Sequence, residues 1–241
     1  MLRGLRMIYG VAYLTSRWIR RQPQWILQSA LGYIGFAVLL YAWGGLKGLE
    51  NLLVAMAIAG FWNTGVNIVA QNVGWYRIAK IQDMLIASPV TPLHYLVGLF
   101  LSSMAFPTAA LAAAIPIAAL LGAWGILLCS IAIGLVVLLL GVLLGLAIVL
   151  RVRNPVNVSA ITNPIAWVLT ILPPVYYPAT VLPQVLRSIA MAVPTAAAAE
   201  IARQLSGMPP ALPLWIPLAS IAMWCLAALI ATSRIVKWGH A

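Results

Sequence analysis

Hydrophobic positions form long runs along this chain, and polar positions gather in short islands between them. The five longest windows without Asp, Glu, Lys or Arg are residues 22–46, 51–76, 84–150, 154–186 and 204–233. A membrane-spanning helix needs about 20 apolar residues, and the third window is long enough for two such helices. The pattern therefore predicts an all-α integral membrane protein with six spans. They are expected at residues 25–43, 50–73, 95–121, 126–150, 156–173 and 212–232.

Composition and charge agree with a membrane protein. The chain is 64% hydrophobic and only 7% charged, whereas soluble domains carry about 25% charged residues. Its Lys and Arg residues sit in short clusters at the ends of apolar runs, as topology signals do. With the N-terminus inside, only Lys47, Arg187 and Arg203 of the 14 Lys and Arg lie outside. We therefore expect a multi-pass protein of the cell (plasma or inner) membrane with both termini cytoplasmic, and no nucleic-acid partner.

The first 24 residues predict an amphipathic helix. Several arginines fall near one helical face, while Leu5, Ile8 and Ala12 fall near the opposite one. This pattern is typical of a helix that lies on the inner leaflet with its arginines toward lipid phosphates. The alternative is a basic tail that only obeys the positive-inside rule. The arginines concerned are Arg3, Arg6, Arg17, Arg20 and Arg21.

The segment 174–210, predicted on the outer side, is too apolar for a solvated loop and too rich in proline for a span. Two short helices are expected in it, at 181–192 and 195–205. Broken helices occur at membrane depth where protein or a water-filled cavity covers their backbone. We interpret the segment as a re-entrant hairpin; a surface loop is the alternative. Its notable residues are Tyr176, Tyr177, Pro178, Pro183, Arg187, Pro194, Glu200 and Arg203.

Catalytic chemistry is not indicated. The chain has three acidic residues, Glu50, Asp83 and Glu200, and its two histidines and two cysteines show no metal-ligand spacing. No Gly-Lys-Ser/Thr phosphate loop is present. No predicted span interior carries an ionisable residue, although ion-coupled transporters usually have one there. We expect neither an enzyme nor a metal or cofactor site on this chain, and any energy source on another subunit.

Polar and small residues inside the spans are few but patterned. Asn63, Asn67 and Gln71 recur every four residues and share one helical face. Amides are costly in lipid, so this face should contact protein or a water-filled path. Hydrogen bonding between helices and lining of a path both stay open. Gly141 and Gly145 form a Gly-x-x-x-Gly pair, which indicates close helix packing.

Prolines interrupt two of the predicted spans. Pro107 and Pro116 lie in the third, and Pro164 lies in the fifth. Each should kink or locally break its helix, since proline removes one backbone hydrogen bond and its ring clashes with the preceding turn.

A polar island at residues 74–94 separates the second and third spans. It combines Arg77 and Lys80 with Asp83, a mixed charge suited to a groove on another protein. Ser88-Pro89 should end its helix, because the residue before proline is pushed out of the helical region. A coupling helix gripped by a soluble partner is one interpretation, and an ordinary inside loop is the other.

Two segments resemble the membrane subunits of ATP-binding-cassette (ABC) type-2 transporters. Asp83-Met-Leu-Ile-Ala-Ser-Pro-Val90 is similar to a cytoplasmic stretch in which an acidic residue precedes Leu-Leu-x-x-Ser-Pro. Leu172-Pro-Pro-Val-Tyr-Tyr-Pro178, with Pro183 and Val193-Pro194-Thr195, is similar to that family's outer segment. Two departures exist. Tyr76–Ile81 replaces a Glu-Arg-Glu-Arg-Gly-Thr stretch, and Val193 stands where Asn is usual.

The resemblance implies a permease subunit, most often of an exporter. It implies a second permease copy or a related permease, with the path at the dimer axis. It also implies two cytoplasmic ATPase subunits that bind ATP and Mg²⁺. The runner-up is a scaffold or assembly subunit, or a passive channel. The residues expected to couple to the ATPase are Arg77, Lys80, Asp83, Ser88, Pro89, Arg151 and Arg153.

Overall fold

The computed structural model describes residues 2–21 and 23–235, and within these ranges the protein is helical and has no β-strand. Its α-helices are α1 (Leu2–Arg21), α2 (Pro23–Asn63), α3 (Ala70–Ile78), α4 (Ile81–Ala87), α5 (Pro92–Ser103), α6 (Thr108–Leu121), α7 (Trp124–Val149), α8 (Val158–Ile171), α9 (Gln184–Ala190), α10 (Pro194–Leu205) and α11 (Trp215–Ile235). A π-helical segment, Thr64–Val69, joins α2 to α3, and short 3-10 turns cover Pro155–Asn157 and Ala179–Val181.

Helix α2 is a hairpin of two arms that meet at Gly45. Gly45 has φ 57° and ψ −140°, which interrupts the helix. The hydroxyl of Tyr33 lies 3.4 Å from the position that a Cβ on Gly60 would take. A straight helix would hold residues 33 and 60 roughly 40 Å apart. The chain therefore reverses at Gly45, between the two spans predicted at 25–43 and 50–73.

The second arm of α2 continues through the π-helical segment into α3. The π-helical segment packs against α7 at positions where both helices carry glycine. A Cβ on Gly141 would lie 3.0 Å from the Cα of Gly65, and one on Gly145 would lie 2.8 Å from the carbonyl oxygen of Gly65. Such distances leave no room for side chains, so the two backbones pack directly on each other. The core surrounds this contact and includes the buried Trp62.

The predicted third span, 95–121, consists of two helices. Helices α5 and α6 are bent by 42° across the break between Ser103 and Thr108, which contains Pro107. The helices continue through the other two prolines: Pro116 lies inside α6 and Pro164 inside α8. A kink or a local break was expected at each of the three positions; the helix breaks beside Pro107, and α6 and α8 are uninterrupted at the other two.

Within residues 2–21 and 23–235, three helical stretches are long and apolar enough to cross a membrane: Ala30–Ile78, which contains the reversal at Gly45, Trp124–Val149 and Trp215–Arg234. The number rises to five if the bent pairs α5 with α6 and α9 with α10 each form one span. The predicted span at 156–173 is not among them. Helix α8 has 14 residues and rises about 21 Å, less than the roughly 30 Å of a hydrocarbon core. Pro173 and Pro174 follow the C-cap residue Leu172 and oppose extension of the helix.

Candidate functional site

The segment 74–94 forms a short exposed helix between two longer ones. Helix α3 ends at Ile78, and Lys80 takes a left-handed conformation, with φ 56°, before α4 begins. Helix α4 has no buried residue, and Asp83 and Met84 are exposed, Met84 by 71%. Ser88 follows α4 in an extended conformation, with Pro89 exposed beyond it. The helix ends where Ser88-Pro89 predicted that it would. No described residue of this chain covers its exposed face.

Arg77 ties this segment to the end of α7. Its Nη1 donates hydrogen bonds to the carbonyl oxygens of Val149 at 2.6 Å and Val152 at 2.9 Å. A guanidinium at a helix C-terminus satisfies free carbonyls and complements the helix dipole. The α7–α8 loop therefore lies beside α3, and its exposed residues Arg151 and Arg153 lie at the same end of the bundle as α4. The guanidinium of Arg77 is thus committed to its own chain.

Helix α1 also reaches this end. Its buried side, with Gly4 and Val11, packs along α5: a Cβ on Gly98 would lie 2.6 Å from the Cβ of Val11. The hydroxyl of Tyr76 donates to Thr15 Oγ1 at 3.2 Å, which links α1 to α3.

The faces of α1 differ from a simple division into arginine and apolar sides. Arg3, Arg6 and Arg17 are exposed, as expected. The apolar residue Leu5 is 58% exposed. It is exposed because α1 packs on α5 through a different face, which includes Val11 and the backbone of Ile8. The side chains of Arg20 and Arg21 lie outside the described part of the chain, as does Lys237.

The amides predicted on one face form a hydrogen-bonded ladder. Asn67 Nδ2 donates to Asn63 Oδ1 at 3.1 Å and to Asn163 Oδ1 at 2.7 Å. Asn67 Oδ1 accepts from Gln71 Nε2 at 2.6 Å and from Thr162 Oγ1 at 2.7 Å. The ladder joins the π-helical segment to α8. π-Helical turns are often found at functional sites.

A cavity of about 380 Å³ lies at one end of this ladder. It is lined by the first arm of α2, by Asn63, by Trp167 of α8 and by Tyr176. Asn67 is thus engaged in hydrogen bonds between helices, whereas Asn63 also borders the cavity.

The segment 174–210, predicted on the outer side and called the outer segment below, contains a buried helix, α10, whose charges are satisfied within the chain. Arg203 donates from Nε to Asn51 Oδ1 at 2.9 Å, and from Nη1 and Nη2 to the carbonyls of Pro174 at 2.9 Å and Val175 at 2.6 Å. Glu200 Oε1 accepts from Gln204 Nε2 at 2.8 Å and from the backbone N–H of Ala211 at 2.7 Å. Both residues are buried, so they hold the outer segment in place.

The rest of the outer segment is held by similar contacts. Arg187 Nη2 donates to the carbonyls of Thr180 at 3.0 Å and Leu182 at 2.9 Å. The hydroxyl of Tyr177 donates to the carbonyl of Leu172 at 3.1 Å. Pro178 and Pro183 flank the 3-10 turn Ala179–Val181, and Pro194 begins α10. The bend of 106° between α9 and α10 is the geometry of a broken span or a re-entrant loop.

Several of these contacts were not predicted from the sequence. Thr162 and Asn163 complete the amide ladder, Asn51 binds Arg203, and Tyr33 and Trp167 border the cavity. The adjacent polar residues Thr162-Asn163 in an otherwise apolar run were a usable signal for the ladder. Nothing local marks Asn51 or Tyr33. Among residues 2–21 and 23–235, no group of three His, Cys, Asp or Glu residues is arranged to hold a metal ion.

Comparison with known proteins adds no assignment. No protein-family model matches this chain, and no curated protein matches it significantly.

Proposed function

We propose that this chain is the permease subunit of an ATP-binding-cassette transporter, an exporter, in the cell membrane with both termini cytoplasmic. It pairs with a second permease and forms the path at the dimer axis, while two ATPase subunits bind ATP and Mg²⁺. The observation that carries the proposal is the exposed helix α4, joined through Arg77 to the α7–α8 loop. The resemblance at Asp83–Val90 supports the same conclusion.

The contacts of Arg77 suggest how a partner's motion would enter the bundle. A displacement of α4 moves α3, and Arg77 carries that displacement to the end of α7. The π-helical segment and the glycine contact then connect α3 to the centre of the molecule. ATP can do transport work only if it favours one permease conformation over another, so this link must differ between the two states.

The absence of a predicted energy source within the spans supports a separate ATPase. The only acidic residues are Glu50, Asp83 and Glu200, and Glu200 is engaged in hydrogen bonds that hold the fold. Asp83 is exposed at the end of the bundle, where a partner's basic residue can reach it. A groove that contacts α4 would therefore recognise Asp83 and Lys80 beside the apolar Met84.

The direct test is charge reversal at α4 in the presence of an ATPase. The chain is co-expressed with ATPases encoded beside its gene, and recovery of an ATPase with the tagged permease is measured. Asp83→Arg should lower that recovery, and the ATP-dependent transport or ATPase stimulation that accompanies it, by about tenfold or more. Membrane insertion should be unaffected, because Asp83 is exposed.

Glu50→Arg is the matched control. It reverses the charge of another acidic residue that is partly exposed. Glu50 and α4 lie at opposite ends of the helical stretch from Glu50 to Ile78, which is about 40 Å long. The change should therefore leave ATPase recovery unchanged. If no ATPase is ever recovered with the wild-type chain, or if Asp83→Arg behaves like wild type, the proposed coupling is wrong. A scaffold or channel role would then stand in its place.

A further inference from the structure

The cavity beside the amide ladder has the size of a small-molecule site. Two smaller spaces of about 60 and 40 Å³ share Tyr33 and Asn63 with it. Binding pockets for small ligands typically measure about 300–1,000 Å³. The main cavity falls in that range and lies between the first arm of α2 and α8, and no residue of α4 lines it.

The walls of this cavity are polar and aromatic, and none of the described residues that line it is charged. Its lining contributes two amides, Gln28 and Asn63, and two phenols, Tyr33 and Tyr176. Phe36 stacks on Tyr176 with ring centroids 4.9 Å apart and an angle of 19° between the planes. A charged guest would lose its hydration without gaining a partner of opposite charge. The lining therefore favours an uncharged guest with a flat or apolar body.

Asn63 determines which hydrogen-bonding group the ligand must carry. Its Oδ1 accepts a hydrogen bond from Asn67, and Asn67 is itself held by Asn163, Thr162 and Gln71. The Nδ2 of Asn63 has no hydrogen-bond partner among the described residues, and the side chain borders the cavity. The ladder therefore presents a fixed N–H donor to the guest, which should carry an acceptor such as a carbonyl or ether oxygen.

We propose that this cavity binds an uncharged small molecule that places a hydrogen-bond acceptor at Asn63 and a flat apolar part between Trp167 and Tyr176. Its identification as the class of transported substrate rests on the proposed function. The binding itself requires only this chain.

The test uses three photoreactive probes with the same ring system. They are 4-benzoylbenzamide, which is uncharged, 4-benzoylbenzoate, which is anionic, and 4-benzoylbenzamidine, which is cationic. The full chain is placed in nanodiscs of phosphatidylcholine, irradiated with each probe, and the labelled residues are mapped by mass spectrometry. The uncharged probe should label peptides that contain residues 28–36, Asn63 or Trp167. Excess benzanilide should remove that labelling, and excess benzoate should not.

Two variants make the result specific. Asn63→Leu removes the donor and should reduce the competed labelling about tenfold. Because that change also disturbs the ladder, Trp167→Leu provides a second variant at a residue that is 54% exposed, and it should reduce labelling as well. Trp215→Leu is the matched control, since Trp215 is 69% exposed and does not line the cavity.

Preferential labelling by a charged probe, or labelling spread over α11 that benzanilide does not remove, would overturn the inference. So would unchanged labelling in both Asn63→Leu and Trp167→Leu. The two proposals fail separately. Binding without any recovered ATPase contradicts only the transporter assignment, whereas ATPase coupling without competed labelling contradicts only the site.

Discussion

Helices α4 and α10 are both short helices placed in interruptions of the apolar pattern, yet they differ in nearly every contact. Helix α4 has seven residues and none of them is buried, whereas the first ten of the twelve residues of α10 are buried. Helix α10 packs among α2, α7 and α11. Helix α4 stands at the end of the bundle, attached through α3 and the turn at Lys80.

Their charged residues differ in the same way. Arg203 and Glu200 in α10 bind acceptors and donors of their own chain, so they stabilise the fold. Asp83 and Lys80 at α4 are exposed and remain free to contact another molecule. The comparison teaches that a charge in a membrane protein signals a partner only when the fold leaves it uncovered.

The largest effect is expected on protein stability, for a substitution in α10. Arg203→Met should lower the free energy of unfolding by roughly 3–5 kcal/mol, because Asn51 and two buried backbone carbonyls lose their donors. Thermal unfolding of the purified protein, followed by size-exclusion chromatography, measures this loss. Lys80→Met is the matched control and should change stability by less than about 0.5 kcal/mol. Equal losses in the two variants would remove the distinction between the helices.

A smaller effect is expected in chemical accessibility. In a background with Cys129→Ala and Cys225→Ala, Ala87→Cys at α4 should react with a membrane-impermeant maleimide at least about tenfold faster than Ala198→Cys. Ala198 is fully buried and reacts only after local opening of the bundle. Open membrane fragments are used so that both faces meet the reagent. Similar rates at the two positions would mean that α10 is a solvated surface helix.

The smallest effect is expected at Glu200. Glu200→Gln keeps an Oε1 acceptor for Gln204 and for the N–H of Ala211 but removes its negative charge. We expect a loss of about 1 kcal/mol, the usual difference between a charge-assisted and a neutral hydrogen bond. The same unfolding assay measures it. A loss as large as that of Arg203→Met would show that the charge of Glu200, and not its hydrogen bonds, holds the outer segment.

Much of the helical architecture follows from local features. Trp124–Val149 matches the predicted span at 126–150, and Trp215–Ile235 matches the one at 212–232, because a long apolar run in lipid can satisfy its backbone hydrogen bonds only as a helix. The break near Pro107 also follows from the residue type. Helix α8 is two residues shorter at each end than the predicted span at 156–173, because the apolar composition continues into Leu172-Pro173 whereas the helix does not.

The candidate sites were only partly predictable. The spacing of Asn63, Asn67 and Gln71 places them on one face, but it cannot say that Asn163 meets that face from 96 positions away. The same holds for Arg77, whose basic charge suggested a partner protein but whose guanidinium binds the end of α7. Side chains of like type are directed inward or outward by neighbours that are distant in sequence.

Hydrophobic runs and proline positions were sufficient to predict an all-helical chain with helices long and apolar enough to cross a membrane, a polar island at 74–94 and a broken segment at 174–210. They were sufficient because these features act through the chain's own solvation and local geometry. The covering of α10, the exposure of α4 and the open cavity beside Asn63 were decided by the packing of the bundle. Burial is a property of neighbouring helices, and hydrogen-bond partners that lie many residues apart leave no periodic trace in either segment.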